Sequence, residues 1–528
     1  MALRTHFSVL SLLAICLSTV SLVGAQETVD ICPLAVRLSS ARVEHICLEQ
    51  RQLPFPAVAP TNRDSTWLIL PFHISGSYRS SYPSDRNNGA NWTGRGLSSS
   101  LSGGIRKQWG RITLALEPDM VWAQNLSFML PDTTTPGFSR HSYPWGNGRL
   151  DRFMRPGGGS MLAIDPGRSF VEVSTGPLVS GVSTEPLWWG PARRYPLLFS
   201  GTSGGFPHFY NETKDFIESP LGGFSTRILW GILSESDWYD SDSKNNKNLL
   251  GALQLQWRID FIPGFELVYS LVRHEPLLNG DLDPSHLSQL IAGDPQEEGI
   301  QKKGTSMGTF GFRLSLPKEG FEAYAEIGWG DGFLNPPAGV SDISFRDIYM
   351  LGFGRTITTT SGNRWRLSGE IIKQAMGLPQ PSKTPSTGTH FTPRRVTHGH
   401  THRGQLIGAS IGPGSNAQYL ALDWFGSKQT LGIFAERTRR DDDTYLRIHA
   451  FDYGFRGHDL EWTLGIRSGR SLGKGAQGSA PLSLGTEVSM SRRKNRDFVG
   501  LDHGHNRVFY REWNLLVDLY LRWSLPTG

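Results

Sequence analysis

The sequence predicts an all-β protein: a transmembrane antiparallel β-barrel of about 18 strands with a small helical N-terminal periplasmic segment. Three observations carry that expectation. The chain opens on an export signal and has no later run fit for a membrane helix; long stretches alternate apolar and polar residues with aromatics at their ends; and connections alternate between short and long. Composition agrees. The 528 residues include 61 Gly, 27 Phe, 16 Trp and 14 Tyr, yet only 38% are hydrophobic and 19% charged, too little apolar material for a set of filled soluble cores. The aromatics recur along almost the whole length, unlike a chain that cannot fold. A formal net charge of +5 over this length makes no field for nucleic acid.

Taken in order, Arg4 supplies a positive n-region, Leu10 to Val20 an apolar h-region, and Val23-Gly24-Ala25 a small-residue cleavage site, so residues 1–25 read as a signal peptide. Cys16 leaves with it. Residues 26–66 form a periplasmic segment in which Ala35 to Gln50 suits a short helix or two. There Cys32 and Cys47 make a disulfide in an exported chain, worth about 3 kcal/mol for so short a loop; two buried thiols are the alternative. The barrel then occupies 67–528. Its longest uncharged stretch, Leu406 to Leu422, is broken by Gly408, Gly412, Pro413 and Gly414 and cannot be a helix of about 20 apolar residues. A chain that crosses the membrane without helices crosses it as a closed barrel.

Alternation is clearest in two places. Leu253, Leu255, Trp257 and Ile259 share one parity against Gln254, Gln256, Arg258 and Asp260. Near the C-terminus Trp513, Leu515, Val517, Leu519, Leu521 and Trp523 alternate with Asn514, Leu516, Asp518, Tyr520 and Arg522. An apolar face bounded by aromatics is the pattern of a bilayer-spanning strand. Strands are expected at 67–79, 95–106, 110–122, 168–174, 222–234, 249–261, 265–273, 307–316, 321–329, 345–355, 364–373, 404–412, 418–426, 430–437, 444–453, 460–468, 484–492 and 510–523, with 123–221 the least regular region. Tight turns at Pro263-Gly264 and Pro317 to Gly320 face the periplasm, while 274–306, 330–344 and 374–403 are long outer loops.

Two segments resemble a known family. Leu187-Trp188-Trp189-Gly190-Pro191, with Pro196 to Ser200 and Gly205-Phe206-Pro207-His208, is similar to the stretch around a W-[WY]-G-P motif of the capsule assembly outer-membrane proteins, the Wzi-like family. Thr401-His402-Arg403-Gly404-Gln405, continuing to Gly412-Pro413-Gly414-Ser415-Asn416, resembles that family's T-H-R-G-Q…G-P-G-S-N segment. The resemblance implies an outer-membrane barrel that binds or anchors capsular or extracellular polysaccharide, lectin-like and non-enzymatic.

Read as residues alone, Trp188 and Trp189 beside Arg193 and Arg194 have the chemistry of a sugar platform, because indoles stack on pyranose faces and guanidinium groups pair with uronates. A structural plug or periplasmic turn is the preferred reading of so Pro- and Gly-rich a segment, which strand parity starts on the periplasmic side. His402 and Arg403 join the polysaccharide candidates through the second segment. His398, His400 and His402 share a face on extended chain, but no carboxylate or cysteine completes a metal site, and no cofactor or metal is expected. Arg492, Arg493, Lys494 and Arg496 fall at the outer end of a strand, where they meet lipopolysaccharide phosphates or solvent. Arg437, Arg439, Arg440 and Asp441 to Asp443 read as a turn on the inner side.

No nucleophile elbow, zinc-protease motif or phosphate loop occurs. Two carboxylates suffice for glycosidase chemistry, and Glu185, Glu326 and Asp331 are merely among many. The expected partners are the polysaccharide, outer-membrane lipid and lipopolysaccharide, with the protein a monomer. The alternatives are a passive porin-type channel, whose lumen Arg258, Arg313, Arg366 and Arg522 would line, and a secreted β-rich glycosidase.

Overall fold

The computed structural model describes residues 67–131, 137–146, 149–277, 304–330, 348–375, 391–392, 396, 398–426, 429–451, 457–472, 482–499 and 510–523. The expected signal peptide, the periplasmic segment and the Cys32–Cys47 pair lie outside them.

The chain forms one antiparallel sheet that closes on itself. Its segments join into eighteen strands among the described residues, because five strands are interrupted by a kink. They are β1 (Leu68–Ile69 and Phe72–Arg79), β2 (Gly96–Ser102 and Ile105–Trp109), β3 (Ile112–Leu116 and Asp119–Ala123), β4 (Met161–Asp165 and Phe170–Thr175), β5 (Leu178–Ser183), β6 (His208–Thr213 and Ile217–Ser219), β7 (Gly222–Ser234), β8 (Lys247–Ile259) and β9 (Phe265–Pro276). Then follow β10 (Thr305–Leu316), β11 (Phe321–Trp329), β12 (Ile348–Thr358), β13 (Arg364–Lys373), β14 (Asn416–Phe425), β15 (Gln429–Arg440), β16 (Asp459–Leu472), β17 (Leu482–Lys494) and β18 (Arg511–Trp523). Each pairs with its sequence neighbours. Closure comes from β1 on β18, in register from Phe72 opposite Trp523 to Arg79 opposite Leu516, which leaves no edge to satisfy in lipid.

Alternation sets which face is which. On β18 Trp513 is 59% exposed and Leu519 53%, while Asn514 and Leu516 between them are buried. The outside is an aliphatic band of residues such as Leu431, Ile433, Leu464 and Ile466. Exposed tryptophans mark both rims: Trp67, Trp109, Trp365 and Trp523 near the short turns, Trp122, Trp462 and Trp513 near the long connections. Such girdles belong at the two interfaces of a bilayer.

The strand number agrees with expectation although its membership does not. Residues 404–412 are not a wall strand: Thr401–His402 and Gln405–Leu406 make a two-residue hairpin inside the barrel, and Ile407, Ala409 and Ile411 are buried in its core clusters. At Gly408 an added Cβ would stand 2.8 Å from the Leu197 carbonyl oxygen, so the two plug backbones lie close together there. Of the strand expected at 444–453, the described residues 444–451 are not a strand either. Helix α1 (Asp442–Phe451) begins there, with Asp442 and Asp443 in its first turn and the Asp441 carboxylate accepting the Thr444 N–H at 3.1 Å. A side-chain cap and early acids favour the helix over a short alternating run.

The irregular region between 123 and 221 supplies the two missing strands, β5 and β6, and extends the single one expected there to Met161–Asp165 and Phe170–Thr175. The insertion of β5 reverses the side of the connection that follows it, and the loss of 404–412 from the wall reverses the side of the turn after β15. The Trp188 segment, expected at the periplasmic end, emerges at the end carrying the long connections, and so do Arg439 to Asp443, expected on the inner side.

Candidate functional site

Two connections do not stay outside. Residues 184–207, between β5 and β6, and the described residues among 391–415, between β13 and β14, fold back into the barrel as a plug. Trp189, Leu198, Phe199, Phe206, Phe391, Leu406 and Ile407 pack in one buried cluster with Leu229, Leu250, Ala252, Val272 and Met307 of the wall. Leu197, Ala409 and Ile411 pack in a second with Tyr324, Ile348, Met350, Ile372 and Ala417. The apolar wall residues at inward parity are thus consumed by the plug rather than by lipid. Trp189 meets Phe199 edge-on at 4.8 Å. Trp188 donates its indole N–H to the Ala192 carbonyl at 3.0 Å. Both indoles are buried, so neither presents a face to solvent.

Polar groups set the plug's position. After the turn at Gly190, the Glu370 carboxylate on β13 accepts three successive backbone N–H groups, from Arg193, Arg194 and Tyr195, together with the Tyr324 hydroxyl. Arg193 pairs with Glu322 at 2.6 Å, a carboxylate shared with Arg313 and Arg366. Arg194 pairs with Glu436 and lies 4.1 Å over the Tyr419 ring, while the Tyr195 hydroxyl donates to the same Glu436 at 2.8 Å. The arginines expected to meet uronates are therefore engaged by the barrel's own acids, charge-assisted bonds that compensate burial.

The histidines are structural as well. His400 Nε2 lies 2.6 Å from the Leu198 carbonyl and must donate to it, so its Nδ1 accepts from His274 Nε2 at 2.9 Å. His402 Nδ1 accepts the Ser234 N–H at 3.1 Å. Burial pushes His398 and His402 down to about 3 and His400 to about 4, which keeps all three neutral.

Arg403 is different. At the hairpin tip, with φ 49°, its side chain is 52% exposed and pairs with Asp165 at 3.2 Å. Beside it Gln405 donates to the Gly89 carbonyl at 3.2 Å. Gly89 lines a cavity of about 170 Å³ between the plug and the wall of β1, β2, β3 and β18. The wall contributes hydroxyls of Ser75, Ser77, Ser100 and Ser102, the Tyr520 ring, Asp119 and, from the β4 kink, Arg168; the plug contributes Trp188, Gly204 and Gly205; the 80–95 connection adds Asn88 and Asn91. Asn91 donates to Ser75 Oγ at 3.5 Å, and its buried Oδ1 takes no hydrogen bond. Hydroxyls, amides, one carboxylate, one guanidinium and aromatic edges around a small space are the groups that bind a sugar ring's alternating polar and C–H faces.

Of the sequence-derived candidates, Trp188 reaches this cavity directly and Arg403 stands beside it; Trp189, Arg193, Arg194 and His402 position the plug. The cavity's serines and asparagines carry no motif that marks them as a ligand site in the sequence. Their signal was the polar parity of Ser98, Ser100 and Ser102 opposite Leu97 and Leu101, which locates a lumen but no ligand.

No family model matches the chain, and no curated protein does. Among solved structures, the chain is similar to Wzi of Escherichia coli, an outer-membrane protein involved in group 1 capsule assembly and described as a carbohydrate-binding β-barrel, with TM-score 0.56 and 11% identity over 86% of this chain and 85% of that one. OccAB2 of Acinetobacter baumannii follows with TM-score 0.43 and 12% identity, over 87% of this chain and 98% of that one. A BenF-like porin of Pseudomonas fluorescens Pf-5 gives TM-score 0.40 and 11% identity, over 88% and 100%. The protein is a bacterial outer-membrane β-barrel. Its short turns then face the periplasm and its long connections the cell exterior.

Proposed function

We propose that the protein binds a capsular or extracellular polysaccharide at the cell surface and holds it there without altering it chemically. The observation that supports this reading over a passive channel is the plug: two connections, the first of them fixed by Glu370, Glu322 and Glu436, fill the lumen with large side chains. The space left beside them suits one sugar ring rather than a stream of solutes. The carbohydrate-binding character of Wzi, which shares the fold, agrees with it.

The test is deletion in the native cell, followed by quantifying cell-attached against released polysaccharide. Release should rise on deletion and fall again with the wild-type chain, but not with Asn91→Leu/Tyr520→Ala. Unchanged attachment in the deletion strain would refute the proposal. In planar bilayers the purified protein should conduct negligibly, whereas steady single-channel steps would assign it to the porins.

A further inference from the structure

A second binding surface lies on the outside of the barrel, at the outer rim of β15 to β18. Strand register places cations directly against aromatics there: Arg437 opposite Trp462 and Arg492 opposite Trp513, with guanidinium carbons 5.9 and 5.4 Å from the ring centroids. One step further out Lys494 stands opposite Arg511, two like charges on the same outward face, a pairing that destabilises a sheet.

The neighbouring acids do not neutralise them. Asp459 and Asp497 are taken by Arg493 at 2.6 and 3.0 Å, and Glu512 by Arg496 at 2.7 Å, with Arg493 and Arg496 both buried. Arg439, also on the rim, is held by Asp442 at 2.7 Å. Arg492, Lys494 and Arg511 make no ion pair among the described residues. Among the described residues, inward arginines thus absorb the local negative charge, and the outward cations remain in surplus.

Their depth is defined. Trp513 and Trp523 mark the two girdles on β18, ten residues apart, or roughly 26 Å along the axis for a strand rising about 3.4 Å per residue and tilted about 40°. Below the cations lies the aliphatic band of Leu464, Ile466 and Met490. Arg492 therefore sits level with the outer girdle, and Lys494 and Arg511 one step above it, where the headgroup phosphates of the outer leaflet begin.

We infer that this face is a docking site for the phosphorylated glycolipid of the outer leaflet: acyl chains lie along the aliphatic band and the lipid A phosphates between Arg492, Lys494 and Arg511. A bound phosphate offsets the Lys494–Arg511 repulsion. The site is separate from the lumen and independent of the polysaccharide reading.

The test titrates the full chain in detergent micelles with diphosphorylated lipid A and with the same lipid A after removal of both phosphates, read by native mass spectrometry. A cation near an anionic lipid surface contributes about 1 kcal/mol, or roughly fivefold in affinity, so phosphorylated lipid A should bind at least tenfold more tightly than the dephosphorylated form. The preference should shrink with added salt, disappear in Arg492→Gln/Lys494→Gln/Arg511→Gln, and survive Arg355→Gln at the opposite rim. Equal affinity of the wild-type chain for both lipids overturns the inference, whether or not the triple variant folds. A folded triple variant, judged by heat-modifiable gel mobility, that keeps the preference overturns it too.

Discussion

Glu370 on the barrel wall accepts the backbone N–H of Tyr195 at 3.0 Å, and the same carboxylate receives the N–H groups of Arg193 and Arg194 at 2.6 and 3.0 Å. Three consecutive peptide donors on one carboxylate make a nest that a hydroxyl or amide cannot reproduce. Glu370→Ala strands buried donors at about 1–3 kcal/mol each, without touching a strand-pairing bond. The variant should keep its barrel and its heat-modifiable mobility but lose the seating of residues 184–207. Planar-bilayer recordings should then show conductance absent from the wild type; silent bilayers would count against Glu370 as the plug's anchor.

A second carboxylate, Asp151 in the β3–β4 connection, accepts the Ser236 N–H and hydroxyl, both at 2.6 Å. Burial pushes it up to about 6, against the hydrogen bonds from Ser236 that favour its charged form. Because the folded value is raised, the stability tied to its protonated form is complete below about pH 4 and is lost as pH rises through 6. Asp151→Asn keeps an acceptor for Ser236 and removes the titration. Relative to wild type, the variant should gain about 2 kcal/mol between pH 4 and pH 7, measured by denaturant unfolding in micelles at the two pH values. An identical difference at both would show that Asp151 does not titrate in that range.

Wall strands such as β8 and β18 were legible because lipid on one side and lumen on the other force a strict two-residue period. Residues 404–412 misled for the opposite reason. Inside the plug every side of the chain is buried, so Leu406, Ile407, Ala409 and Ile411 are selected for volume, not for a face. The strands β5 and β6 hid because their polar parity is not uniformly polar: Val179 and Tyr210 turn inward to meet the lumen's contents. Missing that pair reversed the apparent side of the Trp188 segment. Its indoles carried the chemistry of a sugar platform, and only the structure shows that Phe199 and Ala192 occupy them. The cavity itself was out of reach, since its walls come from four strands, the β4 kink and two connections whose meeting is set by barrel closure.

Gly190 makes the turn that carries the chain from the buried tryptophans to the Glu370 nest. Its φ is 96°, and an added Cβ would stand 2.7 Å from the Glu326 carboxylate on β11. Gly190→Ala combines a strained backbone, at more than about 1 kcal/mol, with a clash against a wall residue. The thermal transition of the folded protein in micelles should fall by several degrees. A transition within one degree of wild type would mean that the turn relaxes without cost.

Barrel closure rests on a buried pair. Arg79 on β1 is 1% exposed and binds Asp518 on β18 at 2.8 Å, across the seam between the first and last strands. Its Nε donates to the Ser84 carbonyl at 3.2 Å, so the same guanidinium also ties down the 80–95 connection. Asp518→Ala leaves that cation inside the wall without its counter-ion, a change that costs about 3–5 kcal/mol. Arg79→Met/Asp518→Leu removes both charges and should cost much less, because apolar replacements of a buried pair are often neutral. The readout is the temperature at which the folded band converts to the unfolded one on a gel. The single variant should convert well below wild type and the double variant close to it; equal losses would assign the effect to packing rather than to the stranded charge.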